Sequence, residues 1–165
     1  ASRALESALK YAYDHDVVVV ASTGNRSGPV SYPAAYTDYC LAVSATDFND
    51  EFLIISNFGP EVDVAAPGRK IFGCLPTWSV PAEAFPYGFL TGTSVAAAHV
   101  SGLAALIRSL KPWLTVADVM DVIRFTADDV NRAVFPGRDD LIGYGRVHMG
   151  KALLPRRVYD KGDVE

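Results

Sequence analysis

The chain has 165 residues and a mass of 17.7 kDa, which suits one domain rather than two. Half of the residues are hydrophobic and 21% are charged, so it can bury a core and is not a disordered chain. Lys and Arg number 15 against 19 Asp and Glu, and the net charge of −4 argues against a basic domain that grips nucleic acid through phosphates.

Residues 2–15 place Ala4, Leu5, Ala8, Leu9 and Ala12 at helical spacing, with charges on the other face. Val17 to Ala21 is a short apolar run, mostly β-branched. That pattern predicts a strand buried on both faces, as in a parallel sheet covered by helices. The following STGNRSGPVSYP is rich in turn formers and reads as the loop leaving the strand's carboxyl end. Further strands are expected at 40–45, 62–66 and 70–75, separated by Pro and Gly. A helix is predicted from Thr93 to Leu110, small and apolar nearly all round, stopping at Lys111–Pro112. The next starts at Thr115, where Asp118 completes a capping box, and runs through Val119, Val122 and Ile123. Residues 141–154 read as a turn and a short helix, and 156–165 as a charged tail that frays. Strands interleaved with helices make this an α/β chain with a mostly parallel sheet.

No apolar run reaches the ~18 residues of a membrane span, so Leu103 to Ile107 reads as core helix and no membrane partner is expected. Cys40 and Cys74 each sit in an apolar stretch and are expected to pack as buried free thiols, with a disulfide or a reactive thiol as the other reading. The first residues lack a signal peptide's apolar stretch and an initiating Met, so the chain is expected to begin inside something larger.

The stretch from Gly92 to Gly102, GTSVAAAHVSG, holds the most chemistry. It sets the Ser94 hydroxyl in the first turn of a buried helix, after a glycine that admits close approach of another chain. Free N–H groups and the helix dipole there favour developing negative charge. By spacing alone two readings stand, a helix cap and a poised nucleophile.

GTSVAAAHVSG resembles the nucleophile motif of the subtilisin-like serine proteases. VVVVASTGN resembles the same family's strand and oxyanion-hole asparagine, and SNFGPEVDVAAPG its following strand. The similarity runs from about Ala8 to Leu153, with the motifs in family order. It implies a truncated three-layer subtilisin-like fold, with residues 1–155 as the carboxy-terminal part of a peptidase domain. By the same resemblance Ser94 takes the nucleophile's place and Asn25 that of the oxyanion donor. Ser22, Thr23 and Gly24 resemble one wall of the primary specificity pocket, and Ser31, Tyr32 and Pro33 lie near its floor. The implied substrate is a polypeptide, with no cofactor. Arg26 reads as a solvated loop arginine.

The family order Asp, His, Ser puts acid and base upstream of the nucleophile, in an amino-terminal segment missing from this chain. The histidines present are read otherwise. His99 lies five residues beyond Ser94 and points roughly 140° away on the helix, as a core histidine. His148 reads as a surface or capping residue. His15, between Asp14 and Asp16, sits at the amino end of its strand, whereas sites in such sheets open at the carboxyl ends. Ala98 replaces the family's usual proline, and Glu61 and Asp63 read as solvated carboxylates rather than metal ligands. Two functions remain in play: a serine endopeptidase completed by the missing segment, or a catalytically inactive binding or regulatory module. The location is extracellular if the longer protein carries a secretory signal.

Overall fold

The computed structural model describes residues 1–76 and 86–154. In chain order the elements are α1 (Arg3–Asp14), β1 (Val20–Ser22), β2 (Leu41–Thr46), β3 (Val64–Pro67), β4 (Ile71–Cys74), β5 (Tyr87–Leu90), α2 (Thr93–Leu110), α3 (Val116–Phe125) and α4 (Met149–Leu153). Strands β1, β2 and β3 form a parallel sheet in that order, with Val20 beside Leu41 and Val43 beside Val64. All six residues of β2 are buried, which suits a central strand covered on both faces. The fold is α/β, as expected.

Helix α2 packs on this sheet because its apolar residues recur on one face. Ala96, Val100, Leu103, Ala104 and Ile107 are buried against Leu41, Val43, Ala45, Val64 and Ala66. Length and hydropathy alone would also suit a membrane span, but this buried face makes α2 a core helix. The helix α3 starts as predicted: Thr115 Oγ1 accepts from Asp118 N–H at 3.2 Å, and Asp118 Oδ2 accepts from Thr115 N–H at 3.0 Å. It adds Val116, Val119, Met120 and Ile123 to the same core. Arg124 at its end reaches Asp63, just ahead of β3, at 2.8 Å, while Asp63 Oδ2 accepts from Ala42 N–H at 2.7 Å. So Asp63 is largely buried and paired, not a solvated carboxylate.

Three expectations need correction. The run from Val17 is packed on both faces as expected, with Val18 and Val20 on the α2 side and Val19 on the other. The strand itself is confined to Val20–Ser22, with β2 as its one in-plane neighbour among the described residues, and Val17 is half exposed. Similarly, the apolar stripe of α1 buries only Leu9, and Leu5 stays exposed. Cys74 is exposed whereas Cys40 is buried. The cause is β4–β5, an antiparallel pair separate from the main sheet, in which Phe72 and Cys74 alternate outward. Strand β5 itself was not anticipated in the sequence. The tail at 156–165 lies outside the described residues.

Two outcomes are expected in the full-length protein. Burial pushes the Asp63 carboxyl above its ordinary value, with Arg124 and the Ala42 N–H opposing. A raised folded pKa means that this group's favourable contribution is present at low pH and is lost as pH rises through that pKa. Removing the guanidinium pushes Asp63 further up, so Arg124→Leu should cost about 3–5 kcal/mol near pH 7 and less toward pH 4. Urea denaturation at both pH values checks this, and an equal cost at each would contradict it. Burial, with Asp63 nearby, also pushes the Cys40 thiol up to about 11. Alkylation at pH 8 should therefore modify Cys74 and spare Cys40, read by peptide mass spectrometry.

Candidate functional site

The carboxyl end of β1 and the amino end of α2 meet through side chains. Asn25, in the loop after β1, places Oδ1 2.8 Å from Thr93 N and 3.0 Å from Thr93 Oγ1, accepting from both. Thr93 Oγ1 in turn accepts from Gly24 N–H at 3.2 Å. The Asn25 amide is thereby held in one rotational sense. Its oxygen is occupied, and its Nδ2 donors have no hydrogen-bond partner among the described residues.

Ser94 is the second residue of α2, so its N–H belongs to the first turn and has no intrahelical acceptor. It is exposed, and its hydroxyl has no partner among the described residues. The first turn carries no acidic residue, so the positive end of the helix dipole is not neutralised there. An exposed hydroxyl, a free helix N–H and an oriented amide donor thus lie at one end of one helix. Such a set can hold negative charge that develops on an oxygen.

Gly92 and Gly24 make this approach possible. Gly92 has φ +148°, and a Cβ there would lie 3.2 Å from Asn25 Nδ2. Gly24 has φ +110°, and its Cβ would lie 2.5 Å from Asn57 Nδ2. Ser22 closes β1 half buried, Gly24 is half buried, and Thr23 is fully buried with its hydroxyl 3.4 Å from Ser56 Oγ. The expectation that Thr23 lines a pocket wall needs correction: it has no exposed surface, its N–H donates to Val43 O at 3.0 Å and its carbonyl accepts from Ser31 N–H at 2.9 Å, so it supports Ser22 and Gly24 from behind. The sequence did not single out Thr93, although its hydroxyl and N–H both orient Asn25; a Thr at the first helical position looks like an ordinary cap until the loop is seen beside it.

Each histidine is engaged elsewhere. His99 Nδ1 pairs with Val95 O at 3.1 Å, one turn back on α2. His148 caps α4, its Nδ1 accepting from Lys151 N–H at 3.1 Å. His15 caps the end of α1, its Nδ1 2.8 Å from Tyr11 O. Among the described residues no group of three or more His, Cys, Asp or Glu is placed to hold a metal. A cleft of about 540 Å³, lined by Asp128, Asp129, Arg132 and Lys151 among others, contains none of the Ser94–Asn25 set. Within it Asp128 pairs with Lys151 and, from outside the cleft, with Arg146, and Asp129 Oδ2 accepts from Gly137 N–H at 2.8 Å.

The subtilase family model matches residues 1–145. Thermitase from Thermoactinomyces vulgaris is 36% identical over 150 residues, covering 90% of this chain and 48% of thermitase. Subtilisin DY from Bacillus licheniformis is 35% identical over 142 residues, covering 83% and 49% respectively. Among solved structures a lanthipeptide protease superposes with a TM-score of 0.77 at 26% identity, covering 92% of this chain and 54% of that one. The chain spans about half the length of these relatives.

Gly92→Ala should strain the backbone at this φ and crowd the Asn25 amide, at a cost of about 1–3 kcal/mol. Thermal unfolding measures the cost, and the Thr93 amide resonance should shift while those of mid-α2 residues stay in place. An unperturbed Thr93 resonance would show that the close approach does not govern this bond.

Proposed function

The chain belongs to the subtilase family, and from that premise we propose that Ser94 is the nucleophile of a serine endopeptidase. The observation that carries the reading is the orientation of Asn25: with Oδ1 taken up by Thr93, the amide can offer only Nδ2 donors at the helix end that bears Ser94. Ser94 Oγ attacks the carbonyl carbon of a peptide bond and gives its proton to a base. The Asn25 Nδ2–H and Ser94 N–H receive the negative oxygen of the tetrahedral intermediate. Collapse breaks the C–N bond, the amine leaves with that proton, and water then releases the acyl group from Ser94. Ser22 and Gly24, backed by the buried Thr23, form one wall for the side chain preceding the cleaved bond.

The base and its acid come from a segment outside residues 1–165, since each of the three histidines here pairs through Nδ1 with a backbone group close to it in sequence and none with Ser94. Residues 1–155 are then the carboxy-terminal part of a peptidase domain. The outer edge of β1, with one in-plane neighbour, is where an upstream strand would pair. That no histidine among the described residues pairs with Ser94 also favours a second reading, a protease-derived binding or regulatory module without turnover.

A serine-directed fluorophosphonate should label Ser94 in a full-length protein carrying the Asp and His motifs, and Ser94→Ala should abolish both labelling and casein cleavage. Asn25→Ala should lower turnover by ~10²–10³, the loss seen when a subtilisin's oxyanion-hole donor is removed. Absence of label in the folded full-length protein would favour the binding module. Residues 1–165 alone should show no turnover above background, because a neutral serine hydroxyl without a base is a weak nucleophile. Robust casein cleavage by 1–165, lost in Ser94→Ala, would place a base within it.

A further inference from the structure

The loop from Gly24 to Ser31 carries Asn25 but contains no helix or strand of its own. Its polar groups therefore need partners from elsewhere. One side chain meets four of them. Asn57 is 2% exposed. Its Oδ1 accepts from Arg26 N–H at 2.8 Å and from Gly28 N–H at 3.3 Å. Its Nδ2 donates to Pro29 O at 2.8 Å and to Ser31 Oγ at 3.1 Å. The Asn57 backbone N–H adds a fifth bond, to Gly24 O at 2.8 Å. Thus the residues on either side of Asn25 are both tied to Asn57.

Only one orientation of the amide fits, because its two acceptor sites face N–H groups and its two donors face oxygens. No other residue reproduces it. Aspartate keeps the acceptors and loses the donors, glutamine is a methylene too long, and leucine offers neither. Asn57 is itself fixed to the central strand: Leu53 N–H donates to Ala45 O at 2.8 Å, and Ser56 Oγ accepts from Ala45 N–H at 3.3 Å. The chain of support runs from buried β2 through the 53–57 segment and Asn57 to the loop.

We infer that Asn57 is a positioning residue, which holds the loop around Asn25 so that the Asn25 amide meets Thr93 and presents its Nδ2 donors beside Ser94. This rests on the reading of Ser94 and Asn25 given above. Asn57 touches no substrate in this scheme. It acts through Asn25, so its removal should slow chemistry more than it weakens binding.

The test uses the full-length protein with two variants and two readouts. In Asn57→Ala the maximal rate of fluorophosphonate labelling at Ser94 should fall about tenfold to a hundredfold, a misplaced donor costing somewhat less than the ~10²–10³ of a deleted one. The half-saturating concentration should change less than about threefold. Asn57→Asp keeps the acceptors for Arg26 and Gly28 but turns a buried carboxylate oxygen toward Pro29 O, so it should label more slowly than the unaltered protein. Amide exchange at Arg26 and Gly28 should quicken at least about tenfold in Asn57→Ala, with β2 amides unchanged. An unchanged labelling rate in a folded Asn57→Ala overturns the inference. Where Asn57→Ala does not fold, Asn57→Asp decides, and an unchanged labelling rate together with unchanged protection at Arg26 and Gly28 in it overturns the inference. If the unaltered protein is not labelled at Ser94, the nucleophile reading fails, and amide exchange alone then decides whether Asn57 holds the loop.

Discussion

A single amide oxygen, Asn25 Oδ1, joins two parts of the chain 68 residues apart in sequence, the loop after β1 and the first residue of α2. Every helix leaves its first N–H groups without partners, and a Ser, Thr, Asp or Asn just before the helix commonly accepts from one of them. Here that position is Gly92, which has no side chain to offer. Asn25 supplies the cap from a distance instead. Capping the helix and assembling the candidate site are therefore one event. The bond also decides what the amide can do next, since an oxygen committed to Thr93 leaves only N–H donors free.

The arrangement demands rigidity from an irregular segment, and the packing explains its source. Strand β2 is buried along its whole length, and α2 lies on it through Ala96, Val100, Leu103, Ala104 and Ile107. Two alanines on that face let the helix sit close to the sheet. The helix start is then set by the core rather than by the loop. The loop has little hydrophobic area to contribute, so it is held by hydrogen bonds to buried neighbours. Such bonds are individually modest, but leaving buried partners unpaired is costly, and this asymmetry makes one conformation dominant.

Local signals made much of this legible in sequence. Helix α2 begins and ends where the apolar pattern and the Lys111–Pro112 step put it, and the α3 capping box forms between Thr115 and Asp118. Both depend on contacts within a few residues. Ser94 and Asn25 were legible as types within motifs, but their meeting through Thr93 was not, because 68 residues separate the partners. Strand β5 was hidden because its four residues, Tyr87–Leu90, are a strand only by pairing with β4. Cys74 was misplaced for the same reason: an apolar run does not say whether a second layer covers it. The edge position of β1 followed from pairing too, since Val17 to Val20 reads alike at the centre or the rim of a sheet.

Charge placement completes the logic of the site. Asp63 and Asp128 are engaged by cations outside α2, Asp63 by Arg124 and Asp128 by Arg146, His148 and Lys151. No carboxylate sits in the first turn of α2, although acidic residues are favoured at helix amino ends. A carboxylate there would steady the helix. It would also spend the roughly half unit of positive charge at the helix terminus before any substrate arrived. The cap at this end is a neutral amide, which satisfies the Thr93 N–H without adding charge. The helix end stays positive and its Ser94 N–H stays open, so it can receive negative charge from outside the helix. Neutral capping preserves the field.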